Sequence, residues 1–376
     1  MIFREIQQKI EEKLFKGKII IITGARQVGK TTLVKSIAEK QSKDYIYLNC
    51  DEADVRDILT ETTSVRLKTL IGNKKLVVID EAQRIKNIGL TLKLFVDELK
   101  QYQVIATGSS ALELSNEVNE PLTGRKYEFR LYPFSMRELS NELGRLETNR
   151  LLEDRIVFGM YPEIVLNLDE RLTLLKGLAS DYLFKDVLAY QNIKKPEVLE
   201  KLLIALAAQI GSEVSYNELS NTLKIEIPTI EKYIDLLEKA YVIFKLPPFS
   251  RNVRTEITKM RKIYFYDTGI RNALISNFNL LYKRQDTGEL WENFLIAERI
   301  KLNSFLGVSV KNFFWRTFQQ QEIDYVEEES GNLYAYEFKW NVHKNKKIPR
   351  TFLNAYPEAK TKIIDKNNYF EFLNIV

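Results

Sequence analysis

The stretch Gly24-Ala-Arg-Gln-Val-Gly29-Lys30-Thr31-Thr32 decides how the first part of this 376-residue chain folds. Four isoleucines at positions 19–22 precede it and have the character of a short buried strand, while the apolar spacing after Lys30 predicts a helix. The glycines therefore lie where a strand turns into a helix, which is the context that the phosphate-binding pattern G-x-x-x-x-G-K-[ST] requires. We interpret the stretch as a phosphate loop rather than as a glycine-containing turn with a chance lysine.

The residue types of this loop suit ATP and a magnesium ion. Glycine permits backbone angles and close approach that a side chain would block, and the loop N–H groups and the start of the helix attract phosphate. We expect Lys30 to bind the β- and γ-phosphates and the Thr31 hydroxyl to coordinate Mg²⁺. The predicted nucleotide-binding residues of the loop are Gly24, Ala25, Arg26, Gln27, Val28, Gly29, Lys30, Thr31 and Thr32.

Two acidic residues follow the apolar stretch Leu76–Ile79. Apolar strands that alternate with helices indicate a parallel sheet buried on both faces, and ligands bind at the carboxyl edge of such a sheet. Asp80 and Glu81 would then lie beside the phosphate loop. We expect Asp80 to hold the magnesium ion and Glu81 to orient or deprotonate the attacking water, so that Glu81 and Lys30 are catalytic.

A further strand is predicted at residues 103–107, and two serines follow it closely. A polar side chain at this strand end can contact the γ-phosphate or its water, which makes Ser109 and Ser110 nucleotide-binding candidates. The alternative is that a serine caps the helical segment that begins at Ala111, because serine is a favoured N-cap. Both interpretations stay open at this point.

The strings GARQVGKTT, LVVIDEAQR, TGSS and LTGRKYEFRLYPFS resemble those of a group of compact prokaryotic AAA-family ATPases. In that group a C-terminal region long catalogued as a domain of unknown function follows the core. The resemblance implies an ASCE-type sheet, with an extra strand between the phosphate-loop strand and the Walker B strand. It also makes Arg125 a candidate catalytic arginine finger acting in trans, and so implies a homo-oligomer. The alternative is a local ion pair of Arg125 with Glu120 or Glu128.

The pattern in the middle of the chain predicts several helices followed by a winged helix. Residues 146–210 are leucine-rich and helical in pattern, and at residues 211–275 two short amphipathic helices precede two strand-like runs, the order of a winged helix-turn-helix. The second helix carries Lys232 and Lys239 but also Glu231, Asp235 and Glu238, and this acid balance disfavours a recognition helix that enters a DNA groove. Binding of DNA and binding of protein stay equal alternatives for this segment.

The last segment combines acidic residues in a hydrolytic pattern. A helix-borne Glu292, a strand-borne Asp324 and the alternating pair Glu337 and Lys339 resemble the PD-(D/E)XK nuclease superfamily, in which carboxylates bind Mg²⁺ and the lysine helps to activate water. Glu298 is the second choice for the helix acid. The pattern departs from the superfamily in that no proline precedes Asp324.

Composition limits the remaining choices. The chain is 45% hydrophobic and 28% charged with a net charge of +5, which is typical of a globular protein and permits contact with nucleic acid without requiring it. One cysteine rules out an internal disulfide and favours a cytoplasmic location, and the apolar runs are only strand-sized, so no membrane contact is expected.

The sequence thus predicts an α/β protein with four segments. These are a P-loop AAA-type domain (1–145), a helical linker (146–210), a winged helix-turn-helix (211–275) and an α/β restriction-endonuclease-like domain (276–376). The expected function is Mg²⁺-dependent ATP binding and hydrolysis coupled to DNA engagement by the C-terminal half. The alternatives are a nucleotide-gated regulatory or scaffold module without nuclease activity, and an ATP-regulated DNA nuclease.

Overall fold

A computed structural model describes residues 2–41, 44–109, 122–182, 196–250, 261–341 and 347–376. The chain forms two compact units, the first of residues 1–133 with 239–241 and the second of residues 134–238 with 242–376. The first boundary therefore lies twelve residues before the expected one. The four segments expected from the sequence stay a prediction. No helix in the described part of the chain has the length and apolar character needed to cross a bilayer.

The first unit is built on a five-stranded parallel sheet. Its strands are β1 (Ile19–Thr23), β2 (Tyr45–Asn49), β3 (Leu76–Asp80), β4 (Gln103–Gly108) and β5 (Lys126–Arg130). Their spatial order is β2-β3-β4-β1-β5, and every neighbouring pair is parallel. Strand β4 therefore lies between β1 and β3, which is the extra strand that the ASCE resemblance implies. The expected α/β fold with a parallel sheet is confirmed.

The helices of this unit bury the apolar strands from both faces. They are α1 (Ile6–Glu11), α2 (Lys30–Gln41), α3 (Ala53–Leu59), α4 (Ser64–Ile71) and α5 (Ile88–Asp97), with a short 3-10 turn at Ala82–Arg84. All residues of β3 and β4 are buried, as are the four isoleucines of β1. Burial on both faces explains why these strands are apolar without alternation.

The second unit begins with helices. They are α6 (Met136–Leu143), α7 (Arg145–Arg150), α8 (Leu152–Phe158), α9 (Pro162–Leu166), α10 (Arg171–Gly177) and α11 (Pro196–Ala208), with a π-helical turn at Leu178–Tyr182. Ser135 and Glu138 form a reciprocal capping box at the start of α6, which satisfies two backbone N–H groups. Met160 and Tyr161 are buried in the core.

Two helices and a two-stranded antiparallel sheet follow. They are α12 (Tyr216–Leu223), α13 (Ile227–Lys239), β6 (Ile243–Leu246) and β7 (Lys262–Phe265). An isolated antiparallel β-bridge also joins Glu213 to Lys262 of β7. This element order is the one expected from the sequence, and the winged-helix assignment stays a prediction.

The rest of the second unit contains a four-stranded mixed sheet. Its strands are β8 (Lys311–Arg316), β9 (Glu322–Glu329), β10 (Asn332–Phe338) and β11 (Lys360–Ile364), and its helices are α14 (Thr268–Leu274), α15 (Thr287–Leu306), α16 (Arg350–Ala355) and α17 (Tyr369–Phe372), with a 3-10 turn at Leu281–Lys283. The spatial order is β11-β10-β9-β8; only β10 and β11 are parallel. Helix α15 and the adjacent strands β9 and β10 carry the predicted acidic residues.

Candidate functional site: a phosphate loop and a separate carboxylate cluster

The phosphate loop links the end of β1 to the start of α2, as predicted. A Cβ atom on Gly24 would lie 2.1 Å from the carbonyl oxygen of Leu131, so only glycine fits beside this backbone. The close approach arises because the N–H of Leu131 donates to the carbonyl of Thr23 at 2.7 Å. Gly29 has φ +94°, a left-handed conformation that glycine adopts without strain.

Two basic side chains hold the loop in shape. The Lys30 ammonium is buried and donates to the carbonyls of Gly24 and Ala25 at 3.0 and 2.9 Å. The guanidinium of Arg4, buried as well, donates to the carbonyls of Val28 and Tyr132 at 2.8 and 2.6 Å. Sequence analysis missed Arg4, because the residue lies far upstream and its pattern gives no signal.

Asp80 lies at the carboxyl end of β3 and is surrounded by hydroxyl groups. Its Oδ2 accepts from the Thr31 hydroxyl at 2.7 Å and from the Tyr47 hydroxyl, and its Oδ1 accepts from Thr107. Burial, together with the Asp80 carboxylate, raises the pKa of Tyr47 above its usual value, so Tyr47 stays a neutral donor. Tyr47 and Thr107 were missed; their positions in neighbouring strands β2 and β4 are the only sequence signal.

Glu81 follows Asp80 in a left-handed backbone conformation (φ 54°). Its N–H donates to the Thr107 hydroxyl at 3.1 Å, and its Oε2 accepts from the Nε2 of Gln83 at 2.5 Å. The same Nε2 donates to the Ser109 hydroxyl at 2.8 Å, while the Oε1 of Gln83 is buried and has no hydrogen-bond partner in the described part of the chain. Gln83 thus links Ser109 to Glu81. The second predicted serine, Ser110, and the cap alternative at Ala111 lie outside the described residues.

Arg125 is placed at the opposite edge of the sheet. It directly precedes β5, and its carbonyl accepts from the N–H of Ile19 at the amino end of β1. Its Nε lies 3.2 Å from the Oδ1 of Asp97, and both side chains are partly exposed. The whole length of β1 separates Arg125 from the phosphate loop, so Arg125 does not contact the nucleotide edge of its own sheet.

The residues at the carboxyl edge fit a nucleotide with magnesium. A hydroxyl (Thr31) and a buried carboxylate (Asp80) lie 2.7 Å apart, and oxygen atoms are the ligands that Mg²⁺ prefers. In the described part of the chain no three His, Cys, Asp or Glu side chains are arranged as a metal site. A nucleotide-bound magnesium ion needs only one or two protein ligands, since phosphates and water complete its shell.

The predicted nuclease-like residues converge in the second unit. The ammonium of Lys339 lies 2.9 Å from Glu337 and 3.6 Å from Asp324, and the N–H of Phe338 donates to Asp324 at 2.8 Å. Burial and the neighbouring Asp324 carboxylate raise the pKa of Glu337 to about 7. Burial and Asp324 likewise raise the pKa of Glu292 to about 7, although a lysine opposes the rise. The four residues therefore share one electrostatic environment.

That opposing lysine is Lys262, on β7. Its ammonium lies 3.1 Å from the Oε1 of Glu292 and also contacts Glu322, while the Tyr264 hydroxyl donates to Glu292. As arranged, these side chains form ion pairs with Lys262 and Lys339, and among the described residues no three ligating side chains are grouped as a metal site. The second-choice acid Glu298 instead accepts from the Met136 N–H at 2.7 Å and pairs with Lys301, so Glu298 is a structural residue.

The acidic face of α13 has a local partner. Lys245 on β6 lies 2.6 Å from Asp235 and 2.7 Å from Glu238. Two of the three acidic residues of this helix thus pair with a lysine of the adjacent strand. Lys232 and Lys239 are exposed on this helix, as are Glu231 and Asp235, so its exposed face carries charges of both signs.

Comparison with known families agrees with this geometry. Residues 16–140 match the AAA domain family, and the matched range contains the phosphate loop and the acidic pair of β3. Residues 149–281 and 287–374 match two domains of unknown function, DUF8612 and DUF4143. The fold and the family match thus agree on an AAA-type P-loop domain in the first part of the chain.

Similar whole proteins come from archaea and bacteria. An uncharacterized protein of Methanocaldococcus jannaschii is 28% identical over 345 residues, covering 85% of this chain and 74% of its own length. An uncharacterized protein of Haemophilus influenzae is 25% identical over 399 residues, covering 99% and 94%. The structure of a Walker-type ATPase of Pyrococcus abyssi aligns with a TM-score of 0.51 at 17% identity over 73% of this chain and 96% of that chain, which is a likeness of fold.

Proposed function

We propose that this chain is a magnesium-dependent ATPase whose nucleotide state controls how its C-terminal half engages DNA. The observation that carries the proposal is the 2.7 Å contact between the Thr31 hydroxyl and Asp80 at the carboxyl edge of the sheet. It brings the phosphate loop and the acidic strand end together, and this supports the binding of an ATP–magnesium complex between them.

The chain's own residues divide the reaction between them. Lys30 and the loop N–H groups would bind the β- and γ-phosphates, and Thr31 and Asp80 would hold Mg²⁺, which would supply positive charge to offset that of the phosphates. Glu81 accepts a proton from the attacking water, and Gln83 keeps the Glu81 carboxylate oriented. The unpartnered Oε1 of Gln83 is a further acceptor for that water.

Lys30→Ala and Glu81→Gln test this proposal. Lys30→Ala should lose ATP binding, whereas Glu81→Gln should bind ATP normally and hydrolyse it roughly 100- to 10,000-fold more slowly, the range for loss of a general base. Lys40→Ala is the matched control, because Lys40 lies exposed on the same helix α2. The measurements are binding of a fluorescent ATP analogue and phosphate release. Normal turnover by Lys30→Ala would refute the assignment.

Arg125 is proposed to act in trans, in a homo-oligomer. Its place at the amino edge rules out contact with its own nucleotide edge, and its partly exposed guanidinium can reach a neighbouring subunit. Arg125→Ala should lower ATP turnover, and mixing it with Lys30→Ala should restore activity by pairing one intact finger with one intact loop. Sedimentation with ATP would measure the oligomer, and a monomer at all protein concentrations with full activity would refute this role.

DNA engagement is proposed from the order of α12, α13, β6 and β7, which is that of a winged helix. Glu81→Gln holds the ATP state, so its DNA affinity with ATP should differ at least tenfold from its affinity with ADP. Branched, single-stranded and duplex DNA are compared by fluorescence anisotropy at one fixed salt concentration, since salt governs such affinities. Equal affinities in both states, or no binding, would favour a nucleotide-gated protein scaffold.

A second candidate function is an ATP-regulated nuclease. The convergence of Glu292, Asp324, Glu337 and Lys339 favours it. Incubation of the full chain with the same DNA substrates and Mg²⁺ or Mn²⁺, with and without ATP, tests it. Cleavage that Asp324→Ala abolishes supports the nuclease, and absence of cleavage on every substrate refutes it.

A further inference from the structure

Lys262 is a lysine buried in a cluster of carboxylates. Its side chain is 1% exposed, and its ammonium contacts Glu292 and Glu322. A buried ammonium group persists only when carboxylates and hydrogen bonds compensate for its lost hydration. Burial lowers the pKa of Lys262, but Glu292 and Glu322 outweigh burial and raise it above its usual value. The lysine is therefore a fixed positive charge.

The carboxylates that resemble a nuclease site already have protein partners. Glu292 accepts from Lys262 and from the Tyr264 hydroxyl, and Asp324 accepts from a backbone N–H. Lys339 lies between Asp324 and Glu337. These are the oxygen atoms that a divalent cation would need.

Two ammonium groups, those of Lys262 and Lys339, contact the carboxylates of this cluster, and the Arg316 guanidinium lies 3.5 Å from Glu322. A metal ion beside Glu292 would meet the repulsion of Lys262, which β7 holds in place through its pairing with β6. Lys339 belongs to the nuclease-like pattern itself, whereas Lys262 comes from a different part of the chain, 30 residues before Glu292.

We propose that Lys262 is the resident cation of this cluster and that it excludes a divalent metal ion from Glu292 and Asp324. The cluster becomes a metal site only when Lys262 is removed or withdrawn with β7. The inference does not rest on the proposed ATPase. It limits the second candidate function, because cleavage would require Lys262 to leave.

The test counts Mn²⁺ ions bound to the nucleotide-free full chain by electron paramagnetic resonance. All variants carry Asp80→Asn, which removes the proposed metal ligand of the nucleotide site. Any Mn²⁺ that is detected is then bound at the carboxylate cluster. Lys262→Met should bind one Mn²⁺ at least tenfold more tightly than the Asp80→Asn parent. Adding Asp324→Asn to Lys262→Met should abolish the gain.

Lys245→Met is the matched control, because Lys245 lies on the paired strand β6 and also contacts two carboxylates, Asp235 and Glu238. It should gain no Mn²⁺. Two results would overturn the inference: a parent that already binds Mn²⁺ through Asp324, or a folded Lys262→Met that gains none. Should Lys262→Met fail to fold, the double variant Lys262→Met/Glu322→Gln, which loses one charge of each sign, is measured in its place. The same gain is expected of it.

Discussion

Replacing Gln83 with leucine should slow ATP hydrolysis without weakening ATP binding. Leucine has a similar size but removes the amide that donates to the Glu81 carboxylate at 2.5 Å and to Ser109 at 2.8 Å. Neither bond involves Lys30 or Thr31, which bind the phosphates in our proposal. In the proposed mechanism the change therefore affects the orientation of the Glu81 carboxylate and not the phosphate loop.

The size of the effect follows from the hydrogen bond to the charged group. Such a bond contributes about 1.5–3 kcal/mol, and each 1.36 kcal/mol corresponds to a tenfold change in rate, so kcat should fall roughly 10- to 150-fold. This estimate assumes that the orientation of Glu81 matters only in the transition state. In that case kcat falls and the Kd for ATP stays constant.

The assay is steady-state phosphate release together with titration of a fluorescent ATP analogue. Gln101→Leu is the control, because Gln101 is an exposed glutamine of the same unit. A kcat within twofold of the parent, or an equal fall in Gln101→Leu, would refute the role of Gln83. A rise in the Kd for ATP with unchanged kcat would show that Gln83 acts on the loop instead.

Two further predictions concern stability. Arg4→Ala should lower the free energy of unfolding by about 3 kcal/mol, since two buried carbonyls lose a charged donor, and urea denaturation against Lys9→Ala measures it. Burial alone would raise the pKa of Asp286, but hydrogen bonds from Arg284 and Arg271 lower it to about 2. Because the folded pKa lies below the ordinary value, this stabilisation is present above pH 4 and is lost as pH falls towards 2. In Asp286→Asn the free energy of unfolding should fall less between pH 4 and pH 2 than in the parent. An equal fall in both proteins would contradict the lowered pKa of Asp286.

The parallel sheet and the phosphate loop were predictable because their signals are local. The isoleucines of β1 and the apolar residues of β3 identify strands buried on both faces, and the glycines with Lys30 and Thr31 require one particular turn. Placement of Asp80 beside that turn follows from the rule that parallel strands end at one edge, and the 2.7 Å contact with Thr31 agrees with it.

The contacts that complete each site depend on tertiary structure. The hydroxyls of Tyr47 and Thr107 meet Asp80 only because β2 and β4 both flank β3, and strand order cannot be obtained from local pattern. The same holds for Lys262, which meets Glu322 from 60 residues away. A single lysine in an apolar strand carries no local signal of its partner. The amino-acid pattern thus predicted the candidate groups of each site, whereas strand order and register decided which neighbours contact them.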